Sequence, residues 1–235
     1  MALRNWDALN ALPSLKVLAL TGIEYKSFSP SVLEALPELS ELDLSRCKKV
    51  SFGNASLPNL QTLNLVSVST TWGPPVYLHL LKEVQGLANL KNLNLAANSK
   101  LRSIDGLGSL PNLQFLNLAN CKVLRSVAGL SDCLPKLSSL KLSGCQRLES
   151  LGGLKGLQHL KTLDLSGCSA LTTLEPLSEL TTLTSLNLTK CKSIVDWSLL
   201  KGLKNLRNLS LSKRSVGADV IAELKAALPE VEIEL

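Results

Sequence analysis

The chain has 235 residues, of which 57 are leucine and only eight are aromatic. Its formal net charge is +6, charged residues make up 19%, and the mean hydropathy is +0.20, which excludes an intrinsically disordered chain. No apolar run approaches the roughly 18 residues of a membrane-spanning helix, and the N-terminal segment lacks the apolar region of a secretory signal. One aliphatic residue at this frequency indicates that a single packing unit is repeated.

The pattern L-x-x-L-x-x-L-x-L recurs along the whole chain at intervals of 21 to 30 residues. Nine copies begin at Leu12, Leu36, Leu57, Leu87, Leu110, Leu134, Leu157, Leu180 and Leu203, and a degenerate tenth begins at Leu228. Within each copy the x-L-x-L segment has period two, which predicts a short strand with its leucines on one face. The return segment has an apolar residue at every third position, which suits 3₁₀ turns. We expect the copies to stack into a parallel sheet, because one copy cannot bury its leucines alone.

The N-terminal residues match the second half of a repeat rather than its beginning. Residues 3–15 have the same apolar spacing as residues 194–206, which lead into a later strand. We therefore expect residues 1–235 to be a single repeat domain that is part of a longer protein. The protein should be a monomer, unless this uncapped first repeat makes an end-to-end contact.

The copy that begins at Leu57 is the longest, because it contains an insert at residues 66–86. After a Gly-Pro-Pro break, residues 76–84 can form a short helix. Trp72 and Tyr77 lie in this insert, and exposed aromatics on an interrupted repeat are typical of a binding loop. The alternative is that Trp72 folds over the convex side and covers the irregular copy.

The last copy ends in two elements of its own. Residues 217–227 are the best α-helix candidate in the chain, with Asp219 near the helix start. Residues 231–235 alternate between apolar and acidic side chains, which predicts a final strand.

The copies resemble those of the leucine-rich-repeat family over essentially the whole chain. Most copies continue with x-x-C-x-x-L, which is similar to the cysteine-containing class, whereas the 23-residue period and the recurring Gly-Leu pair are similar to the 22-residue class. The LSGC motif at 142–145 and 165–168 also resembles repeat domains of kinetoplastid and plant immune-receptor proteins. The resemblance implies an α/β solenoid with a curved parallel β-sheet on its concave face and a mostly 3₁₀ or irregular convex side.

The cysteines favour a buried structural role. Five of the six occupy the same turn position of their copies, namely Cys47, Cys121, Cys145, Cys168 and Cys191. We expect these thiols to be buried and to bond weakly to loop carbonyls, with Cys133 the most exposed. This arrangement favours a reducing, intracellular and cytoplasmic location. Glycosylation sequons at Asn54, Asn187 and Asn208 point the other way, although two of them lie within sheet segments.

Nothing in the sequence indicates catalysis. Neither His79 nor His159 belongs to a nucleophile or metal motif, and no CxxC cluster, P-loop or GxSxG is present. We therefore expect no enzyme activity, no metal and no cofactor.

The solvent face of the predicted sheet is the surface that the architecture offers to a partner. Its candidate binding residues are Phe115, Asn94, Asn117, Lys141, Asp164 and the acidic pair Glu41 and Asp43. Phe115 is a large apolar group in a polar column, and therefore the best candidate for an anchor. The alternative is that these columns form a solvated ladder of small polar residues chosen for hydrogen bonding.

A second feature is a set of basic residues at or just after the turn of each copy. Stacking should place them along one edge of the solenoid, at Arg46, Lys48, Lys49, Lys100, Arg102, Lys122, Arg125, Arg147, Lys190 and Lys192. Such a basic edge suits nucleic acid, anionic lipid or an acidic protein, but it has no aromatic residues for stacking on bases. The alternative is a rim that only keeps the protein soluble.

These features predict a non-catalytic scaffold that binds a protein or peptide partner through the concave face or through the insert. A second hypothesis is a recognition subunit of a larger receptor or ubiquitin-ligase assembly. Binding of nucleic acid or anionic lipid through the basic edge is the third, and would weaken steeply with salt.

Overall fold

The computed structural model describes residues 6–23, 31–48, 50, 52, 56–68, 81 and 84–235. Within these residues ten strands form one parallel sheet, and their order in the sheet is their order in the chain. The strands are β1 Val17–Ala19, β2 Glu41–Asp43, β3 Thr62–Asn64, β4 Asn92–Asn94, β5 Phe115–Asn117, β6 Ser139–Lys141, β7 Thr162–Asp164, β8 Ser185–Asn187, β9 Asn208–Ser210 and β10 Glu232–Glu234. This is the open, repeated α/β architecture that the leucine pattern predicts.

The register of the sheet follows the leucines. The central leucine of each strand lies opposite that of the next, as in the run Leu93, Leu116 and Leu140. Side chains alternate between the two faces of a strand, so every residue that flanks a central leucine points away from the core. In β10 the central position is taken by Ile233, opposite Leu209.

The leucine interior runs without a break along the sheet. From β2 to β9 the two leucines of each strand segment are at most 2% exposed, whereas Leu18 and Leu20 of the terminal strand β1 are 8% and 6% exposed. Burying one leucine side chain stabilises the fold by about 1.5 to 3 kcal/mol. The repeats therefore stabilise one another through contacts between neighbours, as in other stacked arrays.

The side opposite the sheet is built from short 3₁₀ and α-helical turns, as expected from its period of three. The described 3₁₀ helices are Asp7–Ala11, Gly152–Leu154, Glu175–Glu179 and Ser198–Gly202, and the short α-helices are Ser31–Glu34 and Leu130–Cys133. The longest helix among the described residues, Ala218–Ala227, confirms the predicted C-terminal helix. The helix predicted at residues 76–84 lies largely outside the described residues. Within that range only Leu81 and Val84 are described, and both are buried. No helix in the described ranges is long and apolar enough to cross a membrane.

The cysteines after the strands form a buried ladder that links each repeat to the one before it. Each thiol donates to the carbonyl of the last strand leucine in the preceding repeat, so that Cys121 bonds to Leu95 and Cys145 to Leu118. The five Sγ–O distances lie between 2.8 and 3.3 Å, for Cys47, Cys121, Cys145, Cys168 and Cys191. This confirms the predicted burial of the ladder and its bonds to carbonyls, and all six cysteines are unpaired.

Candidate functional site

The outward side chains of the strands form two columns along the concave face. Phe115 stands in the first column between Asn92 and Ser139, and the second column places Asn117 between Asn94 and Lys141. All of these side chains are at least partly exposed. The acidic pair Glu41 and Asp43 stands on β2, and Asp164 stands on β7 beside Lys141. The structure therefore brings the candidate binding residues of the sheet onto one face, as the sequence predicts.

The second column also shapes the turns that follow the strands. Its aspartates and asparagines accept a hydrogen bond from the backbone N–H two residues further on, where the chain leaves the sheet. The bonded residues are Asp43, Asn64, Asn94, Asn117, Asp164 and Asn187, with distances of 2.8, 3.2, 3.1, 2.9, 3.0 and 3.0 Å. Such bonds are the reason why short polar residues favour turns. Each of these bonds uses the Oδ1 atom and fixes the side chain, so the concave face is preorganised for binding.

Lys141 breaks the Asp and Asn pattern of the second column and contacts Phe115 in the first column. From β2 to β8 it is the single member of the column that is neither Asp nor Asn, and a lysine has no acceptor for the turn bond. Its Nζ lies instead 5.7 Å from the centroid of the Phe115 ring, a cation–π contact. Phe115 is half-buried beneath this contact, and is the single aromatic residue of the two columns.

A second ladder, which the sequence reasoning missed, precedes the strands. Asparagine side chains donate from Nδ2 to a backbone carbonyl of the preceding repeat, for example Asn112 to Ala88 at 3.1 Å. The same bond joins Asn59 to Pro37, Asn89 to Pro58 and Asn205 to Thr181. The recurring asparagine in LPNL, LANL and LKNL is the signal that could have revealed it.

The regular middle of the chain also matches a known family. A model described as leucine rich repeats (2 copies) matches residues 88–132, 111–156 and 135–179. Residues 88–179 are leucine-rich repeats. Domains of this family are in general protein-interaction scaffolds, and are typically non-catalytic.

Comparison with curated sequences and with solved structures gives no closer relationship. No curated protein sequence matches this chain. Among solved structures, an internalin from Listeria monocytogenes is similar over 96% of this chain and 88% of its own, with 18% identity and a TM-score of 0.41.

One leucine-rich repeat replaces the turn cysteine with Asn98, another residue that the sequence reasoning missed. Asn98 is 2% exposed and is the buried polar side chain of the described core. Its Nδ2 donates to the carbonyls of Leu65 and Leu95 at 2.9 and 2.7 Å, and its Oδ1 accepts from the backbone N–H of Val68 at 3.1 Å. Both asparagine and cysteine are typical of this position in the family. Asn98 therefore joins two repeats in the way that the cysteines do, with one more bond.

The basic edge exists, but it is interrupted. Its described members are all exposed, at Arg46, Lys48, Lys100, Arg102, Lys122, Arg125, Arg147, Lys190 and Lys192, whereas Lys49 lies outside the described residues. Arg125 forms an ion pair with Glu149 of the next repeat, with Nη1 2.8 Å from Oε1. The turn after Cys168 carries Ser169 and Ala170, which are uncharged. The positive charge is thus divided along the solenoid.

The remaining predicted features do not form a second site in the described part of the chain. Trp72 and Tyr77 lie outside the described residues, so their role stays a prediction. Cys133 lines a convex-side cavity of about 260 Å³ next to Leu107 and Leu130. Burial and the nearby charge of Asp132 raise the pKa of its thiol. The described residues include no group of three or more His, Cys, Asp or Glu side chains that could hold a metal ion.

Proposed function

We propose that the protein is a non-catalytic scaffold that binds a protein or peptide partner on its concave face, around Phe115. The observation that carries this proposal is the half-buried Phe115 ring beneath the Lys141 ammonium, between the small polar side chains of Asn92 and Ser139. Aromatic residues that become fully desolvated dominate the binding energy of protein interfaces.

The position and the rigidity of the face support the same proposal. β5 is the fifth of ten strands, so Phe115 lies near the middle of the sheet, where a partner would exclude water most completely. Asn94 and Asn117 beside it are held by their turn bonds. A partner would therefore lose less free energy in ordering these side chains than it would on a mobile surface.

The test is Phe115→Ala, measured against the partner captured from the native source with the wild-type protein. We expect affinity to fall by about 2 kcal/mol or more, the usual threshold for a hot spot. The melting temperature should change little, because the ring lies outside the leucine interior.

Trp72→Ala is the matched control for the insert. Normal binding by Phe115→Ala together with lost binding by Trp72→Ala would contradict the concave-face proposal and assign binding to residues 66–86. If Phe115→Ala unfolds the protein, the ring serves the core and is not an anchor.

We also infer that the protein works in a reducing, intracellular compartment. Five thiols are buried in the ladder and each donates to a carbonyl of the preceding repeat, so that reduced cysteine has a structural role. Disulfides in an oxidising compartment would have to break these bonds.

A further inference from the structure

Two departures from the repeat pattern meet at one point of the concave face. Phe115 is the aromatic residue of the first column, and Lys141 replaces the turn-forming Asp or Asn of the second. A turn bond of this kind stabilises the fold, and Lys141 gives that contribution up. Residues that break a local rule without a structural gain mark functional sites. Since the two departures touch each other, a role in binding explains both.

The charge around this point is positive. We define the central face as residues 88–97, 111–120, 135–144 and 158–167, which carry β4 to β7 and are all described. Its cations are Lys91, Lys136, Lys141 and Lys161, and its one carboxylate is Asp164. The Lys91 carbonyl accepts the Phe115 N–H at 3.0 Å, so its backbone lies beside β5, while its Nζ donates to Gln61 Oε1 at 3.0 Å. Lys136 Nζ donates to Asn112 Oδ1 at 2.8 Å, and since both acceptors are uncharged the two cations still add positive charge here.

The outward columns carry acidic residues near both ends of the sheet, although Arg207, which precedes β9, adds a cation beside β10. Glu41 and Asp43 stand on β2, and Glu232 and Glu234 stand on β10. β4 to β7 span about 14 Å at a strand spacing of about 4.8 Å. This length matches about four residues of extended chain at roughly 3.3 to 3.6 Å each.

We propose that the central face binds a short acidic peptide segment that places one apolar side chain against Phe115. This proposal rests on the proposed function and adds the chemistry of the partner to it. The lysines attract the carboxylates, Phe115 packs against the apolar group, and the acidic strands at either end repel a longer acidic chain. Asp164 is the one carboxylate that opposes such a segment.

The repeat supplies variants that each change one charge and place a residue that the same position holds in another repeat. Asp164→Asn removes the opposing carboxylate, and asparagine makes the same turn bond at Asn94, Asn117 and Asn187. Lys141→Asn removes a cation by placing the consensus residue at its position. Lys161→Gln also removes a cation, because Lys161 directly precedes β7 and Gln114 holds the same position before β5.

The experiment selects random dodecapeptides displayed on phage against the wild-type protein, with Phe115→Ala as the counter-selection. We expect the enriched peptides to be acidic and to contain an apolar residue. Affinities of the enriched peptides are then measured by fluorescence anisotropy. Asp164→Asn should tighten binding by about two- to fivefold, and Lys141→Asn and Lys161→Gln should each weaken it by about as much, the range of exposed ion pairs. Binding should also weaken as salt shortens the Debye length from about 30 Å at 0.01 M to about 3 Å at 1 M.

Enrichment of neutral or basic peptides that still require Phe115 would overturn the acidic specificity and leave the concave-face function standing. No enrichment over Phe115→Ala, or weaker binding by Asp164→Asn, would also overturn it. A native partner that binds Phe115→Ala normally would instead contradict the proposed function itself.

Discussion

Asn98 shows how one side chain can replace another when both satisfy the same backbone group. The cysteines of neighbouring repeats donate to the last strand carbonyl of the repeat before them, and Asn98 donates to the equivalent carbonyl of Leu65. Its Oδ1 also accepts the Val68 N–H, which no thiol of the ladder is seen to do. An asparagine at a buried position is therefore stable here because its hydrogen bonds are satisfied.

We expect Asn98→Leu to lower the free energy of unfolding by about 2 to 4 kcal/mol, because it leaves buried backbone groups without their partners. Asn98→Cys should cost only about 1 kcal/mol, since a thiol can still donate to Leu65. Urea denaturation of both variants would measure this difference. Equal losses for the two substitutions would show that size, rather than hydrogen bonding, is what the position requires.

The sequence predicts the cysteine ladder but not Asn98, for a physical reason. Cysteine and leucine are buried in most proteins, so their periodic recurrence indicates the core directly. Asparagine is mostly exposed, and its burial depends on carbonyls supplied by another repeat. The same holds for the asparagines before the strands, such as Asn112, whose partner lies 24 residues away.

At the scale of the element, every repeat from the first to the eighth uses one backbone conformation after its strand. The second residue beyond the last strand leucine has a positive φ, and some repeats place glycine there while others do not. The glycines are Gly22, Gly144 and Gly167, and the other residues are Arg46, Ser67, Ala97, Asn120 and Lys190. Left-handed backbone costs a residue with a Cβ about 1 to 2 kcal/mol, and glycine much less.

We expect Ala97→Gly to raise the free energy of unfolding by about 0.5 to 1 kcal/mol. Relief of the strain at φ 58° outweighs the extra freedom that glycine gives the unfolded chain. Gly167→Ala is the reverse experiment, because its added Cβ would lie 3.6 Å from Gly144 and meet no clash. It should destabilise by a similar amount in thermal or urea unfolding, and a stabilising Gly167→Ala would contradict the assignment of strain.

The strands and their register could be predicted because each leucine position has one face to occupy. A shift of one residue would turn every strand leucine towards solvent, so the pattern alone determines which residues point outward. The insert at residues 66–86 has no such repeat, and its aromatic residues could be placed on either side. The contact between Phe115 and Lys141 also needed the structure, because it joins two columns of different repeats.

At the scale of the whole molecule, the leucine interior provides stability and the concave face is the proposed binding surface. The leucine interior requires the same residues in every repeat, whereas the outward columns are free to vary with the partner. The concave face could therefore be located from the sequence, although the contact of Lys141 with the Phe115 ring became visible only in the structure. The basic edge, by contrast, could not be judged from the sequence. It appears continuous there, but in the structure the Arg125–Glu149 ion pair interrupts it.

The thiol ladder runs through most of the solenoid, so the labelling rates of its cysteines measure which repeats separate from their neighbours first. Burial raises the pKa of Cys121 and Cys191 to about 11 and that of Cys145 to about 12, so these thiols are protonated and unreactive at neutral pH. We expect a thiol reagent to label Cys133 first and the ladder only when repeats separate. All six cysteines should react after unfolding in denaturant.

Stacked repeats open from their ends, because a terminal repeat has fewer neighbours. Cys47 is 4% exposed, so it should be labelled before Cys145 and Cys168, which are fully buried. Mass spectrometry of peptides after timed labelling measures each rate, and Cys133→Ser removes the one fast thiol as a control. Equal rates along the ladder would show that the solenoid opens as a single unit. Paired cysteines in the native mass would contradict the reducing compartment.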